Sequence, residues 1–182
     1  ACDPVPAGTV VQRGRAPSLA TVLNAAKLTL PVVVKPACQG STIGVTIVRR
    51  PGQWKGALAL AHRYDPDAMV EAFIPGHEVT VGILGRLDGA VSVLPPVEIV
   101  APDGFYDFSA KYQKGKTRYL CPAPLPAKIL TKIGQLARRT FEVLGCEGAA
   151  RVDFRVTSRG RPYVLEINTV PGMTETSLLP MA

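Results

Sequence analysis

The sequence predicts an α+β fold dominated by antiparallel strands, and three stretches carry that reading. Arg151–Val156 and Tyr163–Asn168 each alternate apolar and polar residues on either side of Ser158-Arg159-Gly160, the pattern of a half-buried hairpin with a tight turn. Leu30–Lys35 is a β-branched run, expected to be a central strand buried on both faces. Pro126–Leu144 repeats Ile129, Ile133, Leu136, Phe141 and Leu144 at helical spacing and stops at Gly145, which makes it the clearest helix of the chain.

The other elements follow in order. Residues 1–11 give a proline-punctuated entry and a short apolar strand. Ser18 is placed to cap a helix whose stripe includes Leu19, Leu23 and Leu28. Lys35-Pro36 ends the central strand and leads into Gly40-Ser41-Thr42 and Gly44, a small-residue turn before a strand at Val45–Val48. Pro51-Gly52 opens an Ala/Leu-rich helix that Pro66 ends. Met69–Ile74 and Glu78–Leu84 are strands joined at Pro75-Gly76, and residues 89–100 add a strand broken at Pro95-Pro96. Residues 101–122 lack a regular period; such stretches in compact domains are usually lids or disordered. After the hairpin, Thr169–Thr174 is a turn and Glu175–Met181 starts a helix.

The 182 residues, 47% apolar, suffice for one ordinary domain or two small ones. No apolar run reaches membrane-spanning length and no signal-peptide pattern opens the chain, so a soluble protein without a membrane partner is expected. The start at Ala1-Cys2-Asp3 has no Met, which suggests a processed, trimmed or partial chain. Cys2, Cys38, Cys121 and Cys146 form no CxxC pair and read as reduced cytosolic thiols. The net charge of +7 suits nucleic acid, a small anionic ligand or simply a solvated surface. Few aromatics lie among the basic clusters, which disfavours nucleic acid and favours a polyphosphate.

Two sites stand out on residue chemistry alone. If Arg159-Gly160 is the hairpin tip, Asp153 falls opposite Glu166 and Arg151 opposite Asn168, all on one face. Directly opposed carboxylates repel, so the face either binds a cation or is a charged exposed surface with one tolerated clash. Asp, Glu and Asn oxygens suit Mg²⁺ completed by phosphate. The second is Lys35, whose ammonium at the end of a buried strand needs a charged partner. The Ser41/Thr42 turn beside it is either a phosphate-binding loop or only a turn, and it is not a Walker loop.

The segments VVVKPACQGSTIGV, VEAFIPGHEVTVGIL, FYDFSAKY, ARVDF and VLEINTVPGMTETSLLP resemble, in order and over nearly all of residues 5–182, the D-alanine–D-alanine ligases of the ATP-grasp superfamily. The resemblance implies an ATP-grasp fold of two α+β subdomains with antiparallel sheets clasping a nucleotide. Residues 1–85 would form the central subdomain. Residues 86–182 would form the C-terminal one, with an ω-loop at about 101–122. It implies an ATP- and Mg²⁺-dependent ligation of D-alanine to D-alanine through an acyl phosphate, for peptidoglycan synthesis in the cytoplasm. It further implies two Mg²⁺ ions, with Mn²⁺ as a substitute, and a homodimer in the full-length family.

Residue by residue, Lys35 looks like the phosphate-contacting lysine, and Gln39–Thr42 like the loop over the phosphates, with Ser41 near the acyl phosphate. Glu71 resembles the adenine partner, with the Phe73 and Ile74 backbone forming the hinge, and Glu78 the ribose-binding carboxylate. Asp153, Glu166 and Asn168 resemble the metal ligands, and Arg151 the guanidinium that stabilises the tetrahedral intermediate. Gly172, Ser177 and Leu178 resemble the acceptor pocket. Lys111 and Tyr112 fall in the ω-loop as nucleotide and substrate contacts, a pair that favours an amine acceptor. The family's N-terminal domain, which holds the first D-alanine, and its last helices have no counterpart in this sequence. The expectation is therefore a partial ligase. The alternatives are a non-catalytic or partner-dependent nucleotide-binding module, or another ATP-grasp amino-acid ligase.

Overall fold

The computed structural model describes residues 4–15, 17–40, 42–85, 89–100, 117–174 and 177–182. They fall into two units, one of Pro6–Phe73 and one holding Pro4, Val5 and the described residues from Ile74 onward. This division falls at 73/74, earlier than the subdomain boundary expected at 85/86. The reason is that β5 (His77–Gly85) pairs with β9 (Ala149–Val156) from His77↔Val156 to Leu84↔Ala149, so its hydrogen bonds belong to the second unit.

In the first unit β1 (Gly8–Gln12), β2 (Val32–Pro36), β3 (Thr46–Val48) and β4 (Asp67–Ala72) form an antiparallel sheet ordered β1-β4-β2-β3. Helices α1 (Leu19–Ala26) and α2 (Trp54–Tyr64) cover one face. Val32, Val34, Val48 and Val70 pack there with Leu19, Val22, Trp54, Leu58 and Ala61. Central position does not bury β2 on both sides, contrary to expectation: Val32, Val34 and Pro36 are buried while Val33 and Lys35 are half-buried. The helices lie on one face only, and the other face is left for the residues described below. Ser18 caps α1 as expected, its Oγ accepting from the Thr21 N–H at 3.1 Å. Ser18→Ala should lower stability by about 1 kcal/mol, read as an earlier urea midpoint at unchanged slope. An unmoved midpoint would show that the cap does not form in solution.

In the second unit β5, β6 (Val91–Val93), β7 (Val97–Val100), β8 (Arg118–Leu120), β9 and β10 (Pro162–Asn168) form an antiparallel sheet ordered β10-β9-β5-β7-β8. β6 also pairs with β5. Pro95-Pro96 thus separates two strands rather than breaking one. β8 is regular structure within the stretch expected to be irregular. Helix α3 (Ala127–Val143) lays Ile133, Ala137 and Phe141 on Val79, Val81, Ile83, Val152, Phe154 and Val156. Gly145, at φ 62°, follows its end as a left-handed stop.

The hairpin register is Asp153↔Glu166 and Arg151↔Asn168, as the alternation implied. The path to it differs. Near the turn Val164 lies opposite Phe154 and Tyr163 opposite Arg155, and a bulge at Leu165 shifts the register by one. Val164 rather than Tyr163 or Leu165 therefore joins the core beside Phe154. Among the described residues no helix is long and apolar enough to cross a membrane, and Cys38, Cys121 and Cys146 are free thiols.

Candidate active site

With Val152, Phe154 and Val156 turned into the core, β9 presents Arg151, Asp153 and Arg155 on the opposite face. Glu78 of β5 lies opposite Arg155, Thr80 opposite Asp153 and Gly82 opposite Arg151. On the other flank β10 brings Glu166 opposite Asp153 and Asn168 opposite Arg151. Three adjacent strands thus form one polar grid. Arg151 grips Asp153 in fork geometry, Nε to Oδ1 at 2.9 Å and Nη2 to Oδ2 at 2.8 Å. The Thr80 hydroxyl donates to Asp153 Oδ1 at 2.5 Å. Asn168 Oδ1 accepts the Val170 N–H at 3.0 Å, which fixes the start of the following turn. The predicted metal ligands and Arg151 are therefore brought together.

Arg155 and Thr80 are functional candidates that the sequence reading missed. Arg155 donates through Nη1 to Glu78 Oε2 at 3.0 Å, through Nε to the Ile74 carbonyl at 3.1 Å and through Nη2 to the Gly76 carbonyl at 3.0 Å. The signal was the same-face spacing of Arg155 with Asp153, but its partner depends on the β5–β9 pairing, which no local pattern reveals.

Beyond β10 the chain turns so that Gly172 and Ser177 meet. A Cβ on Gly172 would lie 2.7 Å from Ser177 Oγ. That hydroxyl accepts the Thr174 N–H at 3.0 Å and lies 2.8 Å from Thr174 Oγ1. Ser177 precedes the short helix α4 (Leu178–Met181), whose Leu178 is buried. The expected acceptor residues Gly172, Ser177 and Leu178 are thus neighbours.

In the first unit, Lys35 Nζ and Glu71 Oε2 pair at 2.7 Å, the charged partner that the lysine required. Register places Val33, Ile47 and Met69 on the same sheet face, an apolar surround for one ion pair. The loop from β2 to β3 is anchored by Asp65, which the sequence reading had passed over. Its carboxylate accepts the Cys38 N–H at 2.8 Å and the Asp67 N–H at 2.9 Å. The Asp67 N–H, then that of Cys38, hold the Asp65 pKa below its ordinary value. Its hydrogen bond and negative charge push the Cys38 thiol up, so this thiol stays protonated at neutral pH. Thr42 adopts φ 61° in that loop. Phe73 donates its N–H to the Pro31 carbonyl at 3.2 Å, and the Arg49 guanidinium lies 5.5 Å from its ring centroid. Ser41, Lys111 and Tyr112 lie outside the described residues.

The family model described as "D-ala D-ala ligase C-terminus" matches residues 8–182. The chain belongs to the D-alanine–D-alanine ligase family. Among relatives in this family, D-alanine–D-alanine ligase of Pelotomaculum thermopropionicum is 50% identical over 153 residues, 84% of this chain and 48% of that protein. The Syntrophotalea carbinolica enzyme is 53% identical over 152 residues, again 84% and 48%. The chain spans about half the length of the curated relatives it matches. The crystal structure of VanG D-Ala:D-Ser ligase from Enterococcus faecalis superimposes with a TM-score of 0.85 at 31% identity, over 98% of this chain and 51% of that one. D-alanine–D-alanine ligase from Bacillus anthracis gives 0.79 at 32%, over 98% and 55%. The fold is that of the D-Ala ligases, the ATP-grasp fold.

The donor set fits the divalent ion that this family implies. Asp153 and Glu166 face each other with Asn168 on the same strand face, an oxygen-only set. Among the described residues no third His, Cys, Asp or Glu joins them into a metal cluster. Two carboxylates and an amide oxygen match Mg²⁺, which keeps waters and takes phosphate oxygens for its remaining positions.

Proposed function

We propose that the protein carrying this chain is an ATP- and Mg²⁺-dependent carboxylate–amine ligase that joins D-alanine to D-alanine. The observation that carries this reading is the grid of Arg151, Asp153, Glu166 and Asn168 on one sheet face, in a chain of this family. In the reaction, one D-alanine carboxylate oxygen attacks the γ-phosphorus of ATP, giving an acyl phosphate and ADP. The amine of the second D-alanine attacks the acyl carbon, loses a proton, and the acyl–phosphate bond breaks to release phosphate. A protein catalyses such steps chiefly by positioning and by stabilising charge.

Each unit contributes its own residues. In the first, Lys35 neutralises phosphate charge and Glu71 receives the adenine, with the Phe73 backbone as part of the hinge. Ser41 and Thr42 take phosphate oxygens, with Ser41 also beside the acyl phosphate. In the second, Glu78 takes the ribose hydroxyls. Asp153, Glu166 and Asn168 hold the metal, which when bound supplies charge neutralisation to the phosphate oxygens. Two Mg²⁺ ions are the proposed occupants, with Mn²⁺ as a substitute. Arg151 offers a planar fork to the tetrahedral oxyanion, a geometry lysine lacks. Gly172, Ser177 and Leu178 receive the acceptor, Ser177 at its carboxylate. Lys111 and Tyr112 contact nucleotide and substrate. A homodimer making peptidoglycan precursor in the cytoplasm is the setting this reading implies.

Gly172→Ala tests the acceptor pocket. A methyl group 2.7 Å from Ser177 Oγ must displace it. Losing one hydrogen bond to a charged group costs roughly 1.5–3 kcal/mol, so the acceptor KM should rise about 10-fold or more, with the KM for ATP unmoved. An unchanged acceptor KM would remove Ser177 from the pocket. The activity itself is tested by phosphate release and dipeptide detection with ATP, Mg²⁺ and D-alanine. ATP turnover that ignores D-amino acids would sink the proposal. D-serine as acceptor is the second reading, favoured by the 0.85 TM-score to a D-Ala:D-Ser ligase. The ratio of the two dipeptides in a competition assay decides between them.

A further inference from the structure

We propose that Arg155 is a positioning residue for nucleotide recognition: it fixes the Glu78 carboxylate in the orientation that selects a ribose bearing both hydroxyls. The proposal rests on the reading of Glu78 as the ribose-binding carboxylate. Arg155 is only 9% exposed. Its guanidinium spends three donors on one short piece of chain: the Ile74 carbonyl, the Gly76 carbonyl and Glu78 Oε2. It therefore does more than pair a charge. It braces the backbone leading into β5 and the carboxylate at the start of β5 against the same rigid fork.

The surrounding structure leaves that link little freedom. Gly76 has φ 133°, and a Cβ there would fall 2.0 Å from the Val156 carbonyl oxygen, so the link is pressed onto the residue that follows Arg155. Glu78 and Arg155 face each other directly across β5 and β9. With Gly76, Ile99 and Val100 they line a cavity of about 270 Å³. A carboxylate that receives a ribose must hold its oxygens still, because a hydrogen bond weakens steeply once misaligned. A glutamate at the mouth of a strand has three rotatable bonds, and pairing with a fixed guanidinium removes that freedom. Arg155 acts through Glu78 and the link.

The test compares binding of ATP with binding of 2′,3′-dideoxy-ATP by calorimetry, with Mg²⁺, in the protein that carries this chain. Wild type should prefer ATP, and Glu78→Gln should lose most of that preference. Arg155→Met should shrink the ATP to dideoxy-ATP affinity ratio at least about 5-fold, through weaker ATP binding and little change for the dideoxy analogue. Arg155→Lys keeps a cation beside Glu78 but cannot reach all three acceptors, so its ratio should fall between those of wild type and Arg155→Met. If Arg155→Met does not fold, Arg155→Lys decides. A wild-type ratio in a folded Arg155 variant, with Glu78→Gln impaired, overturns the role of Arg155 and leaves the ribose reading standing. Equal affinities for the two nucleotides in wild type, unmoved by Glu78→Gln, overturn the ribose reading and this proposal with it.

Discussion

Arg151→Ala should lower kcat for dipeptide formation about 10²–10³-fold, the loss expected when one pre-aligned donor to an oxyanion is removed. Arg151 sits on a strand paired on both sides, and its fork is already locked in plane by the two hydrogen bonds to Asp153. A guanidinium held this way reorganises little when negative charge develops beside it. The same pairing gives the prediction a second edge. Removing Arg151 leaves Asp153 without its fork, so Mg²⁺-dependent ATP binding should hold steady or tighten while kcat falls. Arg151→Lys should recover only part of the rate, since an ammonium supplies charge without the planar fork. A kcat within 10-fold of wild type in Arg151→Ala would remove the oxyanion role. A parallel fall in ATP affinity would turn Arg151 into a ground-state binding residue.

What could be read in the sequence was local. The period-two alternation of Arg151–Val156 and Tyr163–Asn168 gave the pairing of Asp153 with Glu166 without knowledge of the rest of the chain. It did so although the hairpin is not the simple one assumed, because the bulge at Leu165 restores the register that the turn had shifted. A bulge inserts one residue and leaves no strong compositional mark, so the exchange of Val164 for Tyr163 in the core was hidden. The need of Lys35 for a carboxylate was likewise legible, and Glu71 meets it. What stayed hidden depends on contacts between distant segments. Glu78 meets Arg155, and Thr80 meets Asp153, only because β5 pairs with β9. The division of the described residues at 73/74 follows from the same pairing. Burial of β2 on both faces was an overreading of a β-branched run, which cannot say on which sides helices will lie.

Glu166→Gln should abolish most Mg²⁺-dependent ATP binding, by at least about 100-fold, the upper end of what losing an outer-shell partner costs a metal site. Without a metal, Asp153 and Glu166 are carboxylates placed opposite each other across β9 and β10, and like charges directly opposite repel. Asp153 has relief from Arg151, and neutralising Glu166 leaves that pair intact. The variant should therefore keep its fold in metal-free buffer while losing the Mg²⁺-dependent rise in melting temperature that ATP gives wild type. Asp153→Asn should lose binding to a similar degree, because it removes the ligand's charge and one of the two oxygens that receive the Arg151 fork. Thr80→Val, which leaves both carboxylates in place and removes one hydrogen bond to the ligand, should cost about 10-fold in apparent Mg²⁺ affinity. This ordering separates a metal site from a charged surface. On a charged surface, all three substitutions would leave nucleotide binding alone, and the Mg²⁺-ATP affinity of Glu166→Gln would match wild type.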